Sequence, residues 1–283
     1  MFLFIKKEKS VWGHLFIYMG VKISETSEDK KMSRVMVGTL AFVMLFTFSC
    51  GTMNSSVKND FPREGFAFIS KTVQLKRCFG KDNCATMDLR SSGSGYVVRL
   101  SDKGAYIVTA AHVCDGERGL LESVEQTIHM RVSTLSLKKY DAIVLKKDQS
   151  IDACLLFAEG LTEGVEVIPL AEKPPKRGEK VYNIAAPLGM FDYDMVPVFE
   201  GRYAGEESGQ DVYSLAATFG SSGSMILNSK GELVGMVHSV LVKFRNIAIS
   251  SPYEKLMNFI RGGLSEVILA EWACVAPSKC LKY

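Results

Sequence analysis

From Gly93 to Ser250 the chain is a succession of short β-branched and aromatic runs, each closed by Gly, Asp, Lys or Ser. They are GSGYVVRL, GAYIVTAA, IHMRVSTLSL, YDAIVLKK and DACLLFAEG, then KVYNIAAPLG, MVPVFEGRYAG, QDVYSLAA, SMILNSKGELVGMVHSVL and FRNIAIS. Runs of this length and composition read as strands rather than helices. Between the two batches lies EVIPLAEKPPKRGEK, whose Pro174-Pro175 pair is incompatible with a sheet interior and marks a connector. About ten short strands in two batches predict an all-β fold, either two β-barrels or one large sandwich. Only the end reads as helical, at SPYEKLMNFIRG and SEVILAEWA, with Ser250 or Ser251 as a cap and Pro252 near the first turn.

The front of the chain has a different character. Met32-Ser33-Arg34 gives a short positive start, followed by VMVGTLAFVMLFTF, then Ser49 and Cys50. An apolar run of about 14 residues is short of the ~20 that a membrane span needs and suits an export signal. The expected organisation is therefore a targeting segment over residues 1–49 (with a start at Met32), a polar tether over 50–61, a domain over 62–262 and a tail over 263–283. Within the domain, the two batches occupy about 62–165 and 176–252. The whole chain carries a net charge of +3, yet beyond residue 49 its 27 basic and 27 acidic residues balance. No basic run with interleaved aromatics points to nucleic acid.

Seven cysteines are present. With Cys50 set aside, Cys78, Cys84, Cys114, Cys154, Cys274 and Cys280 form an even set, as expected of disulfides in an oxidising compartment. Six cysteines allow 15 pairings. Close spacing favours Cys78 with Cys84 and Cys274 with Cys280, leaving Cys114 with Cys154, though sequence alone does not fix the connectivity. No CxxC pair or His-rich cluster argues for a metal, and no cofactor is expected.

Three patterns carry chemistry: YIVTAAHVC, DQSIDACLLF and TFGSSGS. They line up His112, Asp152 and Ser222 in chain order. A serine hydroxyl is a poor nucleophile until a base takes its proton, and the base needs a partner that fixes its tautomer. The oxyanion that follows needs preorganised donors. Gly220 and Gly223 leave the backbone free to curl, so the amides of Gly220 and Ser222 can point into one pocket. Asp141 in YDAIVL competes with Asp152 for the acid role, Ser221 and Ser224 read as turn residues, and His129 reads as an exposed or structural residue in an alternating strand.

On these residues the chain resembles the chymotrypsin-like serine proteases, in particular the trypsin-like enzymes of HtrA (Deg) type. GSGYVV with AYIVTAAHV resembles that family's first barrel, DQSIDACLL its acid segment, and GSSGSMILNSKGELVGMVHS its nucleophile segment and following hairpin. The likeness spans about residues 62–262. It implies two antiparallel β-barrels closed by a short C-terminal helix, and peptide-bond hydrolysis by an acyl-enzyme. Ser222 would be nucleophile, His112 base then acid, and Asp152, in preference to Asp141, the orienter. Because the His and Asp segments are neighbours in that fold, a Cys114–Cys154 bridge would staple them together. The resemblance also puts Ala216 to Phe219 at the floor of the specificity pocket and His238, Ser239 and Val240 on its wall. No carboxylate lies at that floor, so Lys or Arg is not expected before the cut bond. Val240 crowds the entrance and favours small aliphatic residues, with glutamate through His238 as the second expectation; His238 otherwise bonds Asp152 or simply packs.

The departures are informative. Ser221 stands where chymotrypsin has the Asp that pairs with a freed N-terminal ammonium, so activation of the chymotrypsinogen kind is not expected. TFSC resembles a bacterial lipoprotein signal, with Thr47 in place of the usual Leu. It implies a lipidated Cys50 as membrane tether, which also leaves no free ammonium. Only about 20 residues follow the closing helix, so gating by a PDZ domain is not implied. Polypeptides are the expected partners. The alternative to an exported endopeptidase is a catalytically silent surface-binding or adhesion lipoprotein.

Overall fold

The computed structural model describes residues 61–79, 83–117, 119, 124–241 and 246–273. The expected signal, the expected lipidation at Cys50 and the expected Cys274–Cys280 pair lie outside the described residues.

Twelve strands form two closed antiparallel barrels. The first comprises β1 (Phe66–Cys78), β2 (Cys84–Leu100), β3 (Gly104–Ala110), β4 (Val124–Ser133), β5 (Lys139–Asp148) and β6 (Ala153–Glu159), in the spatial order β1-β2-β3-β6-β5-β4. The second comprises β7 (Lys180–Ile184), β8 (Val198–Glu207), β9 (Gln210–Ser214), β10 (Met225–Asn228), β11 (Leu233–Val240) and β12 (Ile247–Ser250), in the order β10-β11-β12-β9-β8-β7. The Pro174-Pro175 connector runs between the barrels, so the barrel expectation holds over the sandwich.

The two-residue side-chain period explains how one strand serves two cores. On β3, Ile107 points into the first barrel with Ile69, Val97 and Leu156, while Tyr106 and Val108 face outward. That outward set, with Phe66, Tyr96 and Leu155, joins Ile184, Met225 and Val237 of the second barrel in one continuous core. Every residue of β3 is buried as a result, which is why the sequence there is nearly unbroken apolar. On the outer wall, β5 carries charge at its two ends with Ala142, Ile143, Val144 and Leu145 between them, and it stays largely exposed.

Three features differ from the sequence expectation. The described residues form twelve strands rather than about ten. One addition is β1, which pairs in unbroken register with β2 from Phe66↔Tyr96 to Cys78↔Cys84. Its Lys and Arg content hides an alternation in which Ile69, Val73 and Leu75 are buried. The pair extends past the barrel wall as a long hairpin whose ends are joined by the Cys78–Cys84 disulfide. The second difference is at the C-terminal end of the domain, where the two expected helices are one, α2 (Tyr253–Ala273), preceded in the chain by the short α1 (Ala111–Cys114). Gly262 and Gly263 do not break α2. A glycine costs about 1 kcal/mol in a helix, but Gly263 lets the helix lie close over Leu155. Tyr253, Leu256, Met257 and Ile260 bury the inner face at helical spacing. The cap is not a serine. Ser250 and Ser251 turn inward, Ser251 onto the Ile151 carbonyl, and the first helical N–H, that of Tyr253, donates to Asp211 Oδ2 at 2.8 Å. Asp211 comes from β9, so this cap is a tertiary contact that local sequence does not announce.

Candidate active site

His112 sits in α1, the single turn that follows β3, and Asp152 precedes β6; β3 and β6 are direct neighbours. Asp152 takes a left-handed backbone conformation, φ 47°, which aims its carboxylate back at α1. There it accepts the His112 ring Nδ1–H at Oδ2 (2.7 Å) and the His112 backbone N–H at Oδ1 (2.9 Å). Its carbonyl accepts the Ala111 N–H at 3.0 Å. Burial alone would push this carboxyl up, but the ring and amide hydrogen bonds from His112, then the charges of His112 and His238, outweigh it and hold the group below the ordinary carboxylate value. With Nδ1 committed to Asp152, the second ring nitrogen faces the cleft. Cys114 and Cys154 are joined by a disulfide, which ties α1 to β6 two residues beyond each member of the pair. Asp141 is at the surface, paired with Arg131 at 3.1 Å, and His129 is exposed on β4.

Ser222 belongs to the loop before β10, in the second barrel. Positive φ at Gly220 (90°) and Gly223 (83°) makes the loop double back. A side chain at Gly223 would collide with Thr109 Oγ1 and the Ser94 carbonyl of the first barrel, and one at Gly220 would meet the Ala186 carbonyl at 2.5 Å. The loop is clamped from across the domain by Ser94, which sequence reasoning missed although it lies between two glycines of the quoted GSG. Its N–H donates to the Ser222 carbonyl (2.8 Å) and its hydroxyl donates to the Gly220 carbonyl (2.8 Å) while accepting from the Ala186 N–H (3.0 Å). Ser221 and Ser224 are buried turn residues, and the Ser224 hydroxyl accepts from Asn183 Nδ2 at 2.7 Å.

The Phe219 carbonyl accepts the Leu188 N–H at 2.6 Å. In a trans peptide the C=O and N–H point in opposite directions, so the Gly220 N–H is turned the other way. Among the described residues, neither the Gly220 nor the Ser222 amide has a hydrogen-bond partner. Two unspent donors beside one hydroxyl are what an anionic oxygen needs.

His112 and Ser222 both line two cavities that meet at this point. Among the described residues there is no direct His112–Ser222 hydrogen bond. One cavity, of about 340 Å³, is bounded by Thr218, Phe219, Val237, His238, Ser239 and Val240. Of the residues expected there, Phe219, His238, Ser239 and Val240 are present, whereas half-buried Ala216 is not part of the lining. Phe219 is 75% exposed and forms rim, not floor. His238 has its Nε2 on Gln210 Oε1 (2.9 Å) and its Nδ1 3.8 Å from Asp152 Oδ2. Burial pushes its imidazole down, with the nearby Asp152 carboxylate opposing and His112 reinforcing that shift. The other cavity, of about 620 Å³, runs on the opposite side of Ser222, between Ser91 and Ser92 of β2 and the side chains of Leu188 and Phe219. Among the described residues, no group of three or more His, Cys, Asp or Glu is placed to hold a metal ion, and no helix is long and apolar enough to cross a membrane.

The family model for the trypsin-like peptidase domain matches residues 93–236. The chain belongs to the trypsin-like peptidase domain family. The matched segment runs from the Gly93-Ser94 clamp to β11 and so contains His112, Asp152 and Ser222. Among curated proteins it is similar to a probable periplasmic serine endoprotease, DegP-like, of Buchnera aphidicola subsp. Baizongia pistaciae, with 24% identity over 223 residues covering 76% of this chain and 44% of that protein. The chain thus matches less than half the length of that relative. Among solved structures it is similar to the serine endoprotease from Yersinia pestis, with a TM-score of 0.52 and 19% identity over 72% of this chain and 64% of that one. At that identity the likeness speaks for the fold, which is the two-barrel trypsin-like fold expected from the sequence.

Proposed function

We propose that this member of the trypsin-like peptidase domain family is a serine endopeptidase acting through an acyl-enzyme on Ser222. The observation that carries the reading is the His112–Asp152 pair (2.7 Å) opening onto the same cleft as Ser222 and two unpartnered amides. As a peptide carbonyl enters, His112 takes the Ser222 proton and Ser222 Oγ bonds to the carbonyl carbon. The Gly220 and Ser222 amides receive the oxyanion. His112, as imidazolium steadied by Asp152, then protonates the leaving amine. Water, deprotonated by His112, repeats the sequence on the ester and frees Ser222. Apo clefts of this kind commonly close the base–nucleophile hydrogen bond only when substrate excludes water.

The residue before the cut bond enters the 340 Å³ cavity, whose lining holds Val237 and Val240 and no carboxylate. Small aliphatic side chains are the expected fit. Glutamate is disfavoured, because His238 Nε2 is already engaged by Gln210. The protein is exported, and Cys50 tethers it to a membrane by lipidation. A fluorophosphonate probe tests the enzyme reading against the silent-binder alternative. Labelling of wild-type protein that is lost in Ser222→Ala is expected; folded protein that never labels overturns the reading.

A further inference from the structure

Among the described residues, Lys71 and Asp211 are the charged side chains that the fold buries. Asp211 caps α2 and accepts from the Tyr203 hydroxyl, so its partners are accounted for. Lys71 is different. It occupies an inward position of β1, in line with Ile69 and Val73, and is 7% exposed. Its Nζ makes one hydrogen bond, to the Asp115 carbonyl at 2.6 Å, and among the described residues it forms no ion pair with a carboxylate. An ammonium carries three donors, so two remain unspent. A lysine held out of water without a carboxylate partner is uncommon, because the hydration lost on burial is regained only from a counter-charge.

Lys71 is also part of the wall of the 620 Å³ cavity, with Ser91, Ser92, Glu117 and Leu188. This cavity and the 340 Å³ cavity lie on opposite sides of Ser222, so it receives the residues that follow the cut bond. Its acidic neighbours do not neutralise Lys71. The Asp115 carboxylate is turned onto Lys147 Nζ (2.8 Å) and Gln149 Nε2 (3.0 Å). Glu117 is fixed through its backbone, whose N–H donates to Gln126 Oε1 (2.9 Å) and whose carbonyl accepts from Gln126 Nε2 (3.0 Å). Among the described residues its carboxylate makes no hydrogen bond. Burial holds the Lys71 ammonium below the ordinary lysine value, against the weaker pulls of Glu117 and then Asp115. Half-buried Glu117 is screened by solvent, whereas Lys71 acts from inside the wall, where screening is weaker. The balance favours an incoming anion over an incoming cation.

We propose that Lys71 selects the substrate on the leaving-group side: its unspent donors take a carboxylate carried just downstream of the cut bond, so that an acidic residue, or the end of the chain, is preferred there. The inference rests on the peptidase reading for which cavity takes the downstream residues, but binding tests it without catalysis. Lys71 meets the substrate away from the reacting bond, so its loss acts on discrimination between substrates. Glu117 competes for the same ammonium in the empty cleft, so removing its charge strengthens the preference.

The test is fluorescence anisotropy with full-length Ser222→Ala protein and labelled peptides that share an upstream core ending in Val. Asp, Asn or Lys is placed in turn at each of the first three downstream positions of amidated peptides, and a second set ends at those positions in a free carboxylate. At one position Asp, or the free terminus, should bind about 10-fold or more tighter than its neutral counterpart, the size of a charge-assisted hydrogen bond, with Lys weakest. A gain in the amidated set assigns the carboxylate to a side chain, and a gain in the second set alone assigns it to the chain end; either supports the inference. Lys71→Met keeps the length of the side chain and removes its charge, and should bring the ratio to about 1, with probe labelling of the Ser222-containing version reporting a folded domain. Glu117→Gln alters a half-buried side chain outside the core and should raise the ratio about 3-fold, which keeps the test open if Lys71→Met does not fold. Charged and neutral peptides that bind alike at every position, a preference that survives Lys71→Met in folded protein, or a ratio that does not rise in Glu117→Gln overturns the inference even where labelling supports the peptidase reading. A Lys71-dependent preference in protein whose Ser222-containing version never labels sinks the peptidase reading and leaves the carboxylate site standing.

Discussion

The two halves of the candidate site are held in place by different physics. In the first barrel, His112 and Asp152 hang from neighbouring strands buried on both faces, are bonded to each other twice, and are joined by the Cys114–Cys154 disulfide. In the second barrel, Ser222 sits on a loop with no such staple. Its shape comes from two glycines at positive φ and from Ser94, which reaches over from the opposite barrel. The acid–base half is fixed by bonds within its own barrel, while the nucleophile half is fixed by backbone conformation and by docking. Perturbations should therefore act on electrostatics in the first and on geometry in the second.

The largest effect is expected from Asp152→Asn. It keeps the size of the side chain but removes the charge that sets the His112 tautomer, and should lower kcat by about 10⁴-fold. It should also change the pH dependence of stability. The folded Asp152 carboxyl lies below its ordinary value, so its ion stabilises the fold above about pH 4 and that stability is lost as pH falls through the folded value. Asp211 has the opposite sign. Burial raises it above the ordinary value, against the hydrogen bonds from Tyr203 and Tyr253, so the fold gains stability as pH falls through that raised value. Denaturant midpoints between pH 6 and pH 3 should show a shallower acid loss in Asp152→Asn and a steeper one in Asp211→Asn.

Gly223→Ala comes next. The new methyl meets Thr109 Oγ1 and the Ser94 carbonyl in a backbone conformation that L-residues avoid. Overpacking costs about 1–3 kcal/mol and the backbone strain about as much again. Probe labelling should fall by about 100-fold or more, with a lowered Tm. Removing the disulfide with Cys114→Ser and Cys154→Ser opens a loop of sequence separation 40 and should cost about 2–4 kcal/mol in chemical denaturation. Its effect on labelling of the protein that remains folded should be under about 10-fold, because the His112–Asp152 bonds persist. Ser94→Ala should cost the least stability, with Tm lowered by a few degrees, while kcat falls by about 10-fold, since it deletes the hydroxyl but keeps the Ser94 N–H on Ser222. Equal effects of Ser94→Ala on binding and turnover would show that the clamp acts on overall fold rather than on loop geometry.

The same contrast governs how far the sequence could be read. Strands buried on both faces, such as β3 and β6, announce themselves as apolar runs, and His112 and Asp152 stand at their ends. The glycines flanking Ser222 mark the turn through a local requirement on φ. Contacts between residues far apart in the chain leave no such trace. The Ser94 clamp, the Gln210 anchor on His238 and the Asp211 cap on α2 join residues 28 to 126 positions apart. The β1–β2 hairpin is obscured for a different reason, because charged residues interrupt the apolar signal, Lys71 on the buried face and Lys76, Asp88 and Arg90 outside it. Ala216 lies outside the lining of the 340 Å³ cavity, and a local segment does not tell which of its residues turns inward.

The central claim is that His112, Asp152 and Ser222 act as one unit across the two barrels. It is tested by measuring peptide hydrolysis in His112→Ala, Ser222→Ala and the double variant. Residues of such a unit are strongly non-additive. Each single variant should lose about 10⁵–10⁶-fold in kcat, and the double should be no slower than either. Losses that multiply in the double variant, or a His112→Ala protein that retains hydrolysis near the wild-type rate, would contradict the account.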